Sequence, residues 1–312
     1  MSRAPATKAL APDALRNAIA DRVLSFPLTD FDAQDQFDPE SYRRRLEWLN
    51  GAGASGHFVV GGAGEFFSLT AAEYGAVVGT AVAACQGRVP VIAAAGLGTH
   101  VAVAQAQEAE RLGADGLLLL PPYLTEAPQA GLAAHITAVC RATRLGVIIY
   151  NRANCRLNAE TLVRIAEDCP NLIGLKDGIG DIERFLAMRS LLGERLLYIN
   201  GMPTAEVYAQ AYRGMGVKTY SSAIFNFVPR TALAFHRAVV DEDTAVVDRI
   251  FRDFFLPYIQ IRNNQPGYAV SIVKAGADIV GRGGGRVRSP LSELTAEERS
   301  RLAALIHALG PQ

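Results

Sequence analysis

Between Val23 and Val240 short apolar runs alternate with stretches of helical spacing, eight times over. The runs are Val23–Thr29 (a strand and its exit loop), Gly56–Gly61, Val89–Gly96, Gly116–Leu120, Gly146–Asn151, Leu172–Gly178, Leu196–Asn200 and Gly216–Ser222. Between and after them, helices are predicted over Pro39–Gly53, from the cap Thr70 to Gln86, and over Thr99–Leu112, Ala127–Ala142, Asn158–Asp168, Asp181–Leu192, Thr204–Arg213 and Pro229–Val240. Thr70 with Glu73 three residues on reads as a capping box. Strands that alternate with helices imply βαβ units and a parallel sheet. Eight units of this spacing match a (β/α)8 TIM barrel better than an open doubly wound sheet. An open dinucleotide-binding sheet would want a GxGxxG after a strand and an acidic residue about twenty positions on. Gly62-Ala63-Gly64 lacks the third glycine, and Gly281–Gly285 follows no strand.

Three more helical patterns follow, Ala245–Arg262, Tyr268–Val280 and Ala296–Leu309 behind a Thr295 cap, with no Pro/Gly/Ser-rich linker before them. The expected division is a lead-in over residues 1–22 with one short helix (Asp13–Asp21), the barrel over 23–242, and a C-terminal helical extension over 243–312 packed on it. A chain of 312 residues is long for one domain, but α/β barrels of this size are single units.

Half the residues are apolar, a fifth are charged, and 31 basic side chains balance 31 acidic ones. That balance argues against a nucleic-acid or anionic-membrane partner, both of which need a basic excess. The four cysteines (Cys85, Cys140, Cys155, Cys169) form no CxxC and read as reduced thiols of a cytoplasmic protein. Met1–Asp21 has no apolar core suited to a signal peptide, and no run approaches a membrane span.

In Leu172-Ile173-Gly174-Leu175-Lys176-Asp177-Gly178 an apolar run leads straight into a lysine. Runs bounded by turn residues read as strands buried on both faces. A lysine there either emerges into solvent or a salt bridge, or is held without its charge, since burial disfavours the ammonium form. An uncharged amine is a nucleophile toward ketones.

Barrel enzymes place their working residues at the carboxyl ends of the strands. Those ends carry Thr29; Gly62, Ala63, Gly64 and Glu65; Pro121, Pro122 and Tyr123; Tyr150, Asn151 and Arg152; Lys176 and Asp177; Asn200 and Gly201; Ser221 and Ser222. Tyr150 and Lys176 lie on neighbouring strands, and a tyrosine hydroxyl can move the protons that imine formation requires. The glycines after the second strand leave N–H groups open to a carboxylate. Each feature has a plainer alternative: Tyr150 as an amphipathic strand end, the Gly-rich loop as a tight turn, Asp177 and Glu65 as caps of the following helices, Arg152 and Arg156 as solvated charges. The five histidines show no metal-ligand spacing, and no Ser-His-Asp or Cys-His constellation falls at the strand ends, so neither a metal nor a cofactor is expected.

Gly61-Gly62-Ala63-Gly64-Glu65-Phe66, Pro121-Pro122-Tyr123, Tyr150-Asn151, Gly174-Leu175-Lys176-Asp177 and Val287-Arg288-Ser289-Pro290-Leu291 together resemble the dihydrodipicolinate synthase / N-acetylneuraminate lyase family, in order and over nearly the whole chain. The resemblance implies a TIM barrel with Lys176 as Schiff-base lysine and Tyr150 as proton-shuttling tyrosine. It also implies Gly62 and Ala63 as binders of the substrate carboxylate, and a homo-oligomer, dimer or tetramer. Four positions depart from the family. Gly62 and Ala63 stand where two hydroxyl residues are usual, Leu124 replaces a second tyrosine, and Cys155, with Arg156 one step on, falls where an arginine for a second carboxylate is expected. These departures argue against dihydrodipicolinate synthesis. The fuller strings Gly61–Thr70, Tyr150–Asn154, Gly174–Gly178 and Tyr220–Phe227 look like the 5-dehydro-4-deoxyglucarate dehydratase branch. That likeness implies a small keto-diacid substrate that loses water and CO2, with Asn200, Ser222 and Arg156 as candidates for its distal carboxylate and hydroxyls. A retro-aldolase or synthase-like lyase for another 2-keto acid, and a sugar-acid-binding barrel without turnover, are the alternatives.

Overall fold

A computed structural model, describing residues 9–123 and 126–312, closes the eight strands into one parallel barrel in chain order. They are β1 (Val23–Ser25), β2 (His57–Val59), β3 (Val91–Ala95), β4 (Gly116–Leu119), β5 (Gly146–Asn151), β6 (Leu172–Asp177), β7 (Leu197–Asn200) and β8 (Thr219–Ser222). β8 returns to β1 with Leu24 opposite Ser221. Several paired strands are shorter than their apolar runs. β1 ends at Ser25 because Pro27, two residues on, has no N–H for a ladder. Gly216 and Val217 turn their N–H groups back onto the carbonyls of Arg213 and Tyr212, so β8 starts only at Thr219.

The helices are α1 (Pro12–Ile19), α2 (Pro39–Gly51), α3 (Ala71–Cys85), α4 (Thr99–Leu112), α5 (Gln129–Arg141), α6 (Ala159–Asp168), α7 (Ile182–Leu192), α8 (Ala209–Gly214), α9 (Pro229–Val240), α10 (Thr244–Ile250), α11 (Leu256–Arg262), α12 (Tyr268–Ile279) and α13 (Ala296–Ala308). Thr70 and Thr295 both complete capping boxes, and the Asn158 side chain caps α6. Two predicted helices are not uniform. Ala205–Tyr208 is a 3₁₀ turn ahead of α8, and a π-helical turn over Phe251–Phe255 joins α10 to α11. Pro257 lacks an N–H and its ring crowds the carbonyl four residues back, which widens the backbone there.

Every strand is buried on both faces, which is why the sequence shows apolar runs instead of alternation. Outward residues such as Val59, Ala93, Leu117, Ile149 and Leu175 meet the helical layer. Inward residues Leu24, Phe58, Ile92, Leu118, Ile148 and Ile199 fill the barrel, and Leu15 and Ile19 of α1 close its amino end. Each such burial contributes on the order of 2 kcal/mol. With one end plugged, only the carboxyl end stays open. α10 packs on α9, and α12 packs on the turn that follows β8. Among the described residues no helix is long and apolar enough to cross a membrane.

Candidate active site

The β5–β6 register sets Tyr150 beside Lys176 and Asn151 beside Asp177. Strand alternation then decides what each side chain can do. Tyr150 and Lys176 turn into the barrel, whereas Asp177 turns outward. Its carboxylate accepts from Asn151 Nδ2, the N–H groups of Ile179 and Gly180, and the Tyr212 hydroxyl, so it braces the loop instead of capping a helix.

Lys176 is 3% exposed, and its amine has no hydrogen-bond partner among the described residues. Three rings surround the amine, with centres 4.4 Å (Phe26), 4.6 Å (Tyr150) and 4.9 Å (Phe58) away. Burial, with the Arg152 charge adding to it, lowers its pKa to about 7. A large fraction of the amine is therefore unprotonated at neutral pH.

The Tyr150 hydroxyl donates to Gly201 O at 2.7 Å and accepts from Arg152 Nη1 at 2.7 Å. Burial pushes its pKa up, and the guanidinium pulls it back. Gly201 has to be glycine: a Cβ there would lie 2.6 Å from Lys176 Cγ and 2.8 Å from the Tyr150 ring.

After β2, the N–H groups of Glu65 and Phe66 fold back to the carbonyls of Gly62 and Gly61, both at 3.1 Å. Gly61 leaves room for the Phe26 ring, which a Cβ would meet at 2.5 Å. Among the described residues no acceptor meets the amides of Gly62 and Ala63, so both remain free for an anion. Glu65, at a left-handed φ of 55°, is fully buried, ion-paired to Lys274 of α12 at 2.6 Å, and accepts the Arg288 N–H at 3.0 Å. Thr70, not Glu65, caps α3.

A cavity of about 420 Å³ at the open end joins these groups, a volume suited to a small organic acid. Gly62, Ala63, Tyr150 and Lys176 all line it. Asn200, Ser222 and Arg156 do not. Asn200 and Ser222 sit one residue out of phase with the inward positions Ile199 and Ser221, and serve the backbone. Asn200 donates to Ala205 O at 2.8 Å, and Ser222 Oγ accepts the Phe225 N–H at 3.2 Å. Arg156 is exposed and donates to Ala153 O at 3.1 Å.

In their place the wall holds Arg152, Ser221, Glu206 and, from the C-terminal helices, Tyr258, Ala269 and Val270. A two-residue count from Tyr150 would have chosen Arg152 over Arg156. Nothing local marks Glu206. Leu124, where a second tyrosine is expected, lies outside the described residues. Among the described residues no three His, Cys, Asp or Glu side chains cluster closely enough to hold a metal ion.

Comparison with known proteins bears on this geometry. The chain is 55% identical over 301 residues to the 5-dehydro-4-deoxyglucarate dehydratase of Pseudomonas putida, covering 96% of this chain and 99% of that one. It is 57% identical over 303 residues to a Leptothrix cholodnii protein named "Probable 5-dehydro-4-deoxyglucarate dehydratase", covering 97% and 100%. Dihydrodipicolinate synthase of Bacillus clausii superposes with a TM-score of 0.87 at 24% identity, covering 95% of this chain and 100% of that one, and shares the fold. The sequence pattern of the dihydrodipicolinate synthetase family matches residues 20–309. That span takes in every strand of the barrel and the C-terminal helices that wall its open end, and the chain belongs to the dihydrodipicolinate synthetase family.

Proposed function

We propose that the chain is a decarboxylating dehydratase, which converts 5-dehydro-4-deoxy-D-glucarate to 2,5-dioxopentanoate, CO2 and water through a Schiff base on Lys176. The observation that carries this reading is the unpaired, ring-caged amine of Lys176, sharing one cavity with the Tyr150 hydroxyl and two open amides. The names of the relatives supply the substrate.

The amides of Gly62 and Ala63 hold the carboxylate next to the ketone, and the neutral Lys176 amine attacks the carbonyl carbon, C5. Tyr150 exchanges its bond to Gly201 O for one to the substrate oxygen and passes the proton that lets water leave. Arg152 steadies the phenol oxygen while the proton moves. The iminium draws electrons from C4–H, and loss of that proton gives an enamine. Departure of the C3 hydroxyl leaves a conjugated iminium. This accepts the electron pair freed when the C1 carboxylate leaves as CO2, and hydrolysis returns Lys176. The iminium is itself the electron sink, a part that a cofactor plays in other enzymes.

Residues 243–312 act here as an extension completing the barrel of residues 23–242, supported by Tyr258, Ala269 and Val270 in the cavity wall. The enzyme is a cytoplasmic homo-oligomer on this reading. Four free, buried cysteines fit a reducing compartment, and Ile182, Leu186 and Leu191 of α7, 56%, 44% and 60% exposed, fit burial against another copy.

Borohydride reduction in the presence of the keto-diacid tests the reading. A mass adduct on Lys176, with CO2 and 2,5-dioxopentanoate formed in equal amounts, is the expected result. Turnover that survives Lys176→Ala, or pyruvate as the product, would overturn it.

A further inference from the structure

Among the described residues six carboxyl groups are buried: Asp30, Glu65, Asp115, Asp177, Glu206 and Glu298. Five have partners. Asp30 holds Arg45 at 2.7 Å, and Glu65 holds Lys274 at 2.6 Å. Asp115 accepts the N–H groups of Leu10 and Val91, Asp177 is bound as described above, and Glu298 meets Asn264 and Tyr268. Glu206 differs. It is 1% exposed, and neither carboxyl oxygen has a hydrogen-bond partner or a cation within ion-pair distance.

Its surroundings offer it no counter-charge. From β8 come Ser222 and Tyr220, whose hydroxyl also lacks a partner, and from α11 comes Tyr258, in the cavity wall. Arg262 is engaged by Pro203 O and Thr204 Oγ1. A buried carboxylate without a partner is costly, and the group takes up a proton instead. Burial raises the Glu206 pKa to about 7, outweighing the opposing pull of Ser222 and of its own backbone N–H. A carboxylic acid kept neutral in this manner becomes a proton donor.

Glu206 also lines the Lys176 cavity, and the reaction above lacks an acid at one step. Hydroxide is a poor leaving group, so the C3 hydroxyl needs a proton as it departs. Gly62 and Ala63, which line the cavity after β2, carry no hydroxyl to give. Tyr150 is held by Gly201 and Arg152 for imine chemistry, and the other hydroxyls in the same wall, those of Ser221, Thr204, Tyr123 and Tyr258, are weaker acids than a carboxyl group. We propose that Glu206 is the catalytic acid that protonates the C3 hydroxyl as it leaves the Lys176-bound enamine, an inference that rests on the dehydratase reading.

In this step the enamine nitrogen re-forms its double bond to C5, and the C4=C5 pair becomes C3=C4. The C3–O bond breaks, its electrons stay on oxygen, and that oxygen takes the Glu206 proton and leaves as water. The proton earlier removed from C4 returns through solvent to the Glu206 carboxylate, so no other reagent is needed.

The test uses the full chain and Glu206→Gln, which keeps the shape of the neutral acid without its acidic proton. Wild type and variant are incubated with 5-dehydro-4-deoxyglucarate in D2O. Three quantities are followed: the borohydride-trapped adduct on Lys176, deuterium at C4 of recovered substrate, and CO2 with 2,5-dioxopentanoate. The variant should trap as wild type does and accumulate deuterium at C4, while product formation falls about 100-fold or more. Product formation within a few-fold of wild type would overturn the proposal. So would loss of trapping and exchange together with turnover, which marks a merely structural residue. Absence of an adduct in wild type itself would instead remove the underlying Schiff-base reading.

Discussion

The Lys176 amine stands 4.6 Å from the centre of the Tyr150 ring, and the two residues face each other across the β5–β6 ladder. Only the free amine attacks a ketone, and burial lowers the Lys176 pKa to about 7. The rate of imine capture therefore rises as pH climbs through about 7 and levels off above it. One unit below that point the reactive fraction drops about tenfold per further unit. Borohydride trapping rates measured across this range check it, and a midpoint near the ordinary lysine value would show that the rings do not hold the amine neutral.

Arg152 contributes a positive charge that depresses Lys176 and a hydrogen bond that steadies Tyr150. Arg152→Ala should move the trapping profile to higher pH, because the base form of Lys176 loses the neighbour that favoured it. Hydrogen bonds to charged groups are worth about 1.5–3 kcal/mol, so kcat should fall about 10- to 150-fold. Arg152→Lys keeps the charge on a differently shaped head, and should restore the pH midpoint better than the rate. An unmoved midpoint in Arg152→Ala would argue that the guanidinium is a bystander.

How much of this was readable beforehand depended on distance along the chain. The lysine strand and β5 are legible because each is a short apolar run bounded by turn residues, the pattern of a strand buried on both faces. At the strand ends position alone does not say which side chains face the cavity, because alternation has to be counted. Asn200 and Ser222 closed their apolar runs, yet Ile199 and Ser221 hold the inward phase. Arg156 is the arginine nearest the family position, whereas Arg152, two residues past Tyr150, shares its face. Glu206 and Lys274 left no local signal at all, since what defines each is a neighbour, or the lack of one, supplied by remote segments.

Gly201 leaves no room for a methyl group: a Cβ would lie 2.6 Å from Lys176 Cγ, 2.8 Å from the Tyr150 ring and 2.9 Å from Lys176 Cε. Gly201→Ala should therefore displace both reactive groups while the barrel persists. Overpacking of this kind costs about 1–3 kcal/mol in stability, but a shift of about 1 Å at the chemistry can cost 100-fold in rate. Thermal unfolding and kcat measured together separate the two effects. A variant with full activity would mean that Lys176 and Tyr150 tolerate displacement.

Lys274 and Glu65 form an ion pair at 2.6 Å with both side chains almost fully buried, one from α12 and the other from the loop after β2. The Lys274 amine also donates to Arg286 O at 2.7 Å, and the Arg288 N–H reaches the second Glu65 oxygen. Removing one partner of such a pair strands a charge and costs about 3–5 kcal/mol, whereas replacing both by neutral groups is often harmless. Lys274→Met should accordingly lower the denaturation midpoint strongly, and adding Glu65→Gln should recover most of the loss. The pair also reaches the site, because Glu65 is held at a left-handed φ of 55° and its N–H fixes the Gly62 carbonyl at 3.1 Å. Loosening it disorders the amides of Gly62 and Ala63, so KM should rise in Lys274→Met more than kcat falls. A single variant within about 1 kcal/mol of wild type, or a double variant no more stable than the single, would show that the buried pair is not what holds this loop.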